Sequence, residues 1–392
     1  MRQPVHEKRE RETNSDRERR LKKRTRTRIS TGLATVTLDD VAAAADVSAA
    51  TVSRAINRPD LVKPAVRVRV EAAIAKLGYV PNGAARALVS KRTKALGAVV
   101  PTLNNTIFSD TINAFQHRLD ELGYVMFLTS AEYDSERELR RAKTLVERGI
   151  DGLMLVGYRH DSALYSFLRE RKIPFVNTWA AQADSPYPAI GYNGKLGGEM
   201  VINYLLSLGH RSFGIVMGDP AKNDRMEARM IGIRAALDRA GIELRPEQIV
   251  FSNYSVDAGR HGCAELFARG LKPTAIIGGN DILGLGILFE CQHRGINVPG
   301  EISIMGFGDA NIAAHVLPPM STVRTPSAEM GLRAAEYLVA VAEGHEAVLP
   351  PPQDLLLIPR GTTGPAPKQI FAAGEKPAAA PKAKSKLRTA ET

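Results

Sequence analysis

Several things are scarce in this chain. Its 392 residues include two cysteines, Cys263 and Cys291, and one tryptophan, Trp179. Two cysteines cannot form a disulfide framework or a four-thiolate zinc site. Both sit in helix-like surroundings without metal spacing, so buried, reduced thiols of a cytoplasmic protein are expected. The eight histidines are scattered, with no H-x-x-x-H pair, so no metal and no cofactor is expected. No apolar run approaches the roughly 20 residues that span a bilayer. The N-terminal MRQPVHEKRERETNSDRERR carries charge but no apolar core, which argues against export and against a membrane partner.

Catalytic signatures are scarce as well. GLGILF (284–289) lacks the third glycine of a dinucleotide loop and starts within a helix pattern. In GYNGKLGG, Leu196 stands where a phosphate loop needs Ser or Thr. No G-x-S-x-G, H-E-x-x-H or suitably spaced carboxylate pair is present. A non-enzymatic binding protein is therefore expected.

What is plentiful is positive charge, unevenly placed. The net charge of +11 resolves into +7 over residues 1–36, +4 over 37–92, −4 over 93–360 and +4 over 361–392. A slightly acidic body with basic attachments suits a polyanionic partner. Residues 1–36 read as a basic, disordered extension that adds non-specific phosphate affinity. Residues 361–392 read as a disordered Ala/Pro/Lys tail.

Residues 37–80 carry the most specific pattern. Thr37 is a natural N-cap, with Asp39 and Asp40 in the first turn. Leu38, Val41, Ala42 and Ala45 then recur at helical spacing. Asp46-Val47-Ser48 makes a turn, and Ser48 caps a second helix that buries Val52, Ala55 and Ile56. A third helix puts Val66, Val70, Ile74 and Leu77 inward and stops at Gly78. The other face of the second helix carries Ser48, Thr51, Ser53, Arg54 and Asn57, all donors. A helix-turn-helix feeds such a face into the major groove of DNA. Hydroxyls and amides at Thr37, Ser48, Ser53 and Asn57 suit phosphates, and the Arg54 fork suits a guanine edge. Ala49 and Ala50 would lie at the groove floor, against thymine methyls. The competing reading is a three-helix protein-interaction module; the agreement of helix, turn and donor face favours DNA.

From Ala95 onward, apolar runs alternate with helical segments. The predicted strands are 95–101, 124–129, 152–156, 174–178, 213–218, 274–279 and 302–308, in two rounds that divide near residue 191. That is the pattern of a parallel α/β body with two similar lobes. Ligands of such sheets lie beyond the C-terminal strand ends, here in the cleft between lobes. The strand ends nominate Asn104, Phe108, Thr178, Trp179, Asn280 and Asp309. Arg229 lies early in a helix, where guanidinium and helix dipole both favour an anion, and Tyr254 lies before another helix start.

The pattern T-L-D-D-V-A-x-x-A-x-V-S-x-x-T-V-S-R-x-x-N, followed by K-L-G-Y-V-P-N, resembles the headpiece of the lac repressor (LacI-type) family of bacterial transcription regulators. The resemblance runs to about residue 360. It implies a helix-turn-helix domain at 37–80, a hinge helix at 81–94, and a periplasmic-binding-protein-like effector and dimerisation core at 95–360. The lobes of that core would cross at about 191, 325 and 343. It also implies that Asn82, Ala85 and Leu88 meet the minor groove, the leucines of two subunits wedging a central base step. Phe108, Arg229, Tyr254 and Asn280 match its effector-contacting positions.

The expected function is a cytoplasmic homodimeric repressor of a catabolic operon, bound to a palindromic operator and released by a small molecule. The tail lacks the leucine heptads of a tetramer. An activator, a regulator answering to purines or neutral sugars, and an exported solute-binding protein are the alternatives. The attached DNA reader counts against the last. G-F-G-D followed by A-A-H-x-x-P-P-x-S-T-V-R is similar to the gluconate-repressor branch. There Gly308 takes the place where sugar-responsive members often carry aspartate. Keeping an arginine while losing a carboxylate favours a sugar acid as effector.

Overall fold

The structure, a computed structural model, describes residues 36–81, 92–103, 106–181 and 185–367. The chain divides into two compact units between Lys91 and Arg92. Asn82, Ala85, Leu88 and Asn104 lie outside the described residues, as do 1–35 and 368–392.

The first unit contains α1 (Leu38–Ala45), α2 (Ala49–Asn57) and α3 (Pro64–Leu77). The Thr37–Asp40 capping box starts α1. Ser48 starts α2 by accepting the Thr51 N–H. Pro64 opens α3, and Gly78 closes it in the left-handed region (φ 63°). Val41, Ala42, Ala45, Val52, Ala55, Val70 and Ala73 form the core, with Ile56, Val66, Ile74 and Leu77 packed partly against it.

The second unit is a pair of lobes. In lobe 1, β1 (Ala95–Val100), β2 (Val125–Ser130), β3 (Gly152–Val156), β4 (Phe175–Thr178) and β5 (Ala189–Ile190) form a parallel sheet ordered β2-β1-β3-β4-β5. Around it lie α4 (Ser109–Glu121), α5 (Ser135–Glu147), α6 (Ser162–Glu170) and a helix from the far end of the sequence. In β1 and β3 every residue is buried, as a strand covered on both faces requires. In lobe 2, β6 (Phe213–Met217), β7 (Ile249–Phe251), β8 (Ala275–Gly278) and β9 (Ser303–Met305) form a second parallel sheet ordered β7-β6-β8-β9. Its helices are α7 (Gly194–Ser207), α8 (Asp224–Arg239), α9 (Val256–Ala268) and α10 (Asp281–His293). Cys263 and Cys291 lie in this lobe's core as free thiols, Sγ to Sγ 4.0 Å.

The chain crosses between lobes three times. It passes from β5 to α7, then from β10 (Thr322–Arg324) back to α11 (Ser327–Glu343) of lobe 1, then out again to β11 (Leu356–Ile358), which pairs antiparallel with β10. The helices α7 and α8 pack so closely that a Cβ at Gly198 would collide with the Arg229 carbonyl, and one at Gly232 with the Lys195 carbonyl. Glycine there fixes where α8, and so Arg229, stands.

Two boundaries need correction. The body begins before residue 95, because the Thr93 and Lys94 amides donate to the Asp151 carboxylate at 3.1 and 2.8 Å. It also continues past 360. The Ile304 amide donates to the Thr362 carbonyl at 2.8 Å, and the Ala366 amide to the Leu208 carbonyl at 2.8 Å. His210, fully buried, holds the Gly364 carbonyl at 3.1 Å. Backbone pairing with lobe 2 orders Gly361–Pro367, which composition alone assigned to the tail.

Candidate functional site

The donor face of α2, expected to meet DNA, is partly occupied by its own helix caps. Thr37 donates its hydroxyl to Asp40 Oδ2 at 2.7 Å and its amide to the same oxygen at 2.8 Å, leaving neither proton for a phosphate. These bonds also hold the Asp40 carboxyl below its usual pKa. The expected phosphate contact at Thr37 is therefore corrected to a capping role. Ser48 and Thr51 share a hydroxyl–hydroxyl bond of 2.9 Å, so one free O–H remains between them. The Asn57 amide nitrogen donates to Ser53, 2.9 Å from its carbonyl oxygen and 3.3 Å from its hydroxyl. Ala50 is exposed, but Ala49 is half-buried against the headpiece core, which removes most of its methyl from the groove side. Arg54 is exposed, and its side chain bonds to no other described residue. It is the long donor left free on α2.

In the body, strand ends of both lobes meet in one cleft. Phe108 lies in the short 3-10 turn Thr106–Phe108 that follows β1, and Trp179 directly follows β4 in a left-handed conformation (φ 69°). Their rings meet edge to face, centroids 5.1 Å apart. Trp179 is 2% exposed, and its indole N–H has no partner among the described residues. From lobe 2, Arg229 on α8 is also 2% exposed. It donates to the Gly279 carbonyl and, at 3.4 Å, to the Tyr192 hydroxyl, and its guanidinium lies over Phe307. Its Nε has no partner, and it forms no ion pair with a described carboxylate. Burial pulls the Arg229 pKa down. Tyr254 accepts the Asn223 amide at 2.7 Å and stacks on Tyr133, centroids 5.2 Å apart. Asn280 caps α10 through the Leu283 N–H at 3.1 Å.

Of the nominated residues, Phe108, Trp179, Arg229, Tyr254 and Asn280 line one cavity, together with Tyr133, Tyr192, Asn223 and Arg225. Two do not belong to it. Thr178 turns away from the cleft and donates its hydroxyl to the Leu155 carbonyl at 2.8 Å, stitching β4 to β3. Asp309, with φ 59°, is held by Arg324 at 2.6 Å and Arg360 at 2.7 Å, which neutralise it away from the cavity. Gly308 also acquires a local reason. Its φ of 134° suits glycine alone, and a Cβ there would press on Ile107 and Asp281 at 3.2 and 3.3 Å.

Sequence reasoning missed Asn223, Asp224, Arg225, Tyr133 and Tyr192. Asn223 caps α8 at the Arg225 N–H, 3.1 Å, and Asn-Asp before a helical run is a legible start signal. Nothing local showed that Asp224 and Arg225 face the other lobe. Among the described residues no cluster of three or more His, Cys, Asp or Glu is placed to hold a metal, and no helix is long and apolar enough to cross a membrane.

Comparison with known proteins agrees with this arrangement. Residues 37–82 match the family described as bacterial regulatory proteins, lacI family, and 202–363 match the periplasmic binding protein-like domain. The ribose operon repressor of Escherichia coli (strain K12) is 30% identical over 304 residues, covering 77% of this chain and 92% of that protein. The lac repressor dimer bound to operator and the anti-inducer ONPF superposes with a TM-score of 0.76 at 25% identity, covering 84% of this chain and 99% of the other. The transcription regulator GntR from Chromobacterium violaceum superposes with a TM-score of 0.65 at 28% identity, covering 69% and 99%.

Proposed function

The chain belongs to the lacI family of bacterial regulatory proteins, and on that premise we propose that it is a dimeric transcriptional repressor whose effector is a sugar acid. The observation carrying the effector class is Arg229. A guanidinium taken out of water without a carboxylate is costly, and here a carbonyl, a phenol, the Met226 sulfur and a ring, all uncharged, offset that cost. An anionic effector would supply the missing charge. The unpartnered Trp179 N–H also calls for an acceptor, and the Phe108, Trp179 and Tyr192 rings offer apolar walls to the C–H face of a sugar.

On the DNA side, Arg54 is the base reader, with Ser48, Thr51, Ser53 and Asn57 placing α2 on the phosphates. Two subunits would read the two halves of a palindrome. Effector and operator favour different states of the protein, so each weakens the other by the same factor.

A thermal-shift screen tests the effector class. It compares gluconate and related sugar acids and their phosphates with neutral hexoses, pentoses and purines, with Arg229→Met as control. Ligand at 100 times its dissociation constant adds about 2.7 kcal/mol. A shift with sugar acids alone, lost in Arg229→Met, supports the reading. A response to a neutral pentose instead would align the protein with its ribose-operon relative and discard the acid.

A further inference from the structure

Asp224 opens α8 in lobe 2, yet its carboxylate is bound to lobe 1. Its Oδ2 accepts the amides of Tyr158 at 2.5 Å and Arg159 at 2.9 Å, in the segment just after β3. Its Oδ1 pairs with Arg225 Nη1 at 2.8 Å, and that same nitrogen donates to the Val156 carbonyl at 3.2 Å. Both members of the pair are buried, and both reach across the lobes. Arg159 completes the contact by reaching back to Glu227 and to the Pro220 and Ala221 carbonyls. Opposite the pair stands Gly157 (φ 100°), where a Cβ would strike Arg225 and come within 2.7 Å of Asp224.

None of these bonds is needed to start α8, because Asn223 already supplies its cap. Burial works to raise the Asp224 pKa, but Arg225 and the two amides outweigh it and hold the carboxyl below its usual value. The aspartate is thus ionised and fully bonded in this arrangement, and parting the lobes would strip it of its amide partners. The pair also lines an outer cavity of about 90 Å³, which shares Tyr133, Asn223 and Arg225 with the cavity around Arg229.

We infer that Asp224 is the latch of the effector cleft: its carboxylate, bound to the Tyr158 and Arg159 amides, holds the lobes together, and a ligand reaches Arg229 only when those bonds open. Asp224 is a positioning residue on this account. The inference rests on the reading that this cleft takes an effector, but the latch can be tested without one.

Trp179, the chain's one tryptophan, is buried in the same cleft and reports on its opening. In the full-length protein, Asp224→Ala should make Trp179 fluorescence more quenchable by acrylamide and shift its emission to the red. Amide exchange at Tyr158 and Arg159 should quicken by roughly tenfold or more, the factor that a hydrogen bond to a charged group commands. Exchange within β1 and β6 should hold. Asp224→Asn keeps the size and one acceptor, and should fall between; if the alanine variant does not fold, it carries the test alone. Folded variants with unchanged Trp179 quenching and unchanged exchange at 158 and 159 would overturn the latch. An exposed Trp179 in a protein deaf to every sugar acid would sustain the latch and sink only the effector class.

Discussion

The guanidinium of Arg229 lies 3.3 Å from the ring centre of Phe307, a stacking contact made where an ion pair would be expected of so buried a cation. Replacing Arg229 by methionine keeps the length and the apolar contact and removes the charge. Gluconate, or whichever sugar acid shifts the melting point, should bind Arg229→Met at least about tenfold more weakly, as expected for a lost charge-assisted bond. Isothermal titration reads the change directly, and unaltered affinity would remove Arg229 from the site.

Arg54 is exposed and unbonded on a helix face whose other donors are partly committed to caps. Arg54→Ala should lose about 1–3 kcal/mol of preference for operator over random DNA. Salt-sensitive binding to random DNA should largely persist, since phosphate contacts supply it. Fluorescence anisotropy at several salt concentrations separates the two, and equal losses on both DNAs would make Arg54 a phosphate contact.

Gly232 lies under the Lys195 carbonyl where α8 crosses α7. Gly232→Ala should force the helices apart at a cost of about 1–3 kcal/mol. Because the same crossing sets Arg229, the response to whichever effector shifts the melting point should weaken along with the urea midpoint. A midpoint within experimental error of the parent would mean that the helices yield without strain.

Asp281 is buried, and its pKa is raised to about 6, chiefly by desolvation, against bonds from Thr322 and the Ala310 amide. The folded value exceeds the unfolded one, so its contribution is fully present below about pH 4. It is lost as pH rises through 6. Asparagine cannot ionise. Relative to Asp281→Asn, the parent should therefore gain stability as pH falls from 7 to 4, by on the order of 2–3 kcal/mol. Urea unfolding of both proteins at several pH values checks it, and a pH-independent difference would count against the raised pKa.

Much of this was legible before the fold. Helix periodicity and caps gave α1 to α3, and the long apolar runs gave seven strands of the two lobes. The short strands β5, β7, β10 and β11 were not legible, because two or three residues carry no period and are strands only by virtue of a partner. The strand-end rule gathered Phe108, Trp179 and Asn280, but it could not tell which way each side chain turns. Thr178 ends β4 and gives its hydroxyl to the Leu155 carbonyl of β3, whereas Trp179, already outside the strand, has a left-handed backbone that turns it separately. Asp309 is swung aside by its own positive φ. The latch was hidden for another reason: Asp224 reads as an ordinary helix opener until lobe 1 supplies the amides that it binds.

The second crossing between lobes bears on how the chain is made. Lobe 1 is completed by α11, where Thr111 donates its hydroxyl to the Ser327 carbonyl at 2.8 Å and Arg118 pairs with Glu336 at 3.0 Å. Those partners leave the ribosome only after almost all of lobe 2. During synthesis the α4 face, with Phe115 and Leu119, must wait uncovered while the second lobe forms. A nascent chain stalled between the lobes would present that apolar surface, so the first lobe, though first in sequence, is closed only after most of the second has been made.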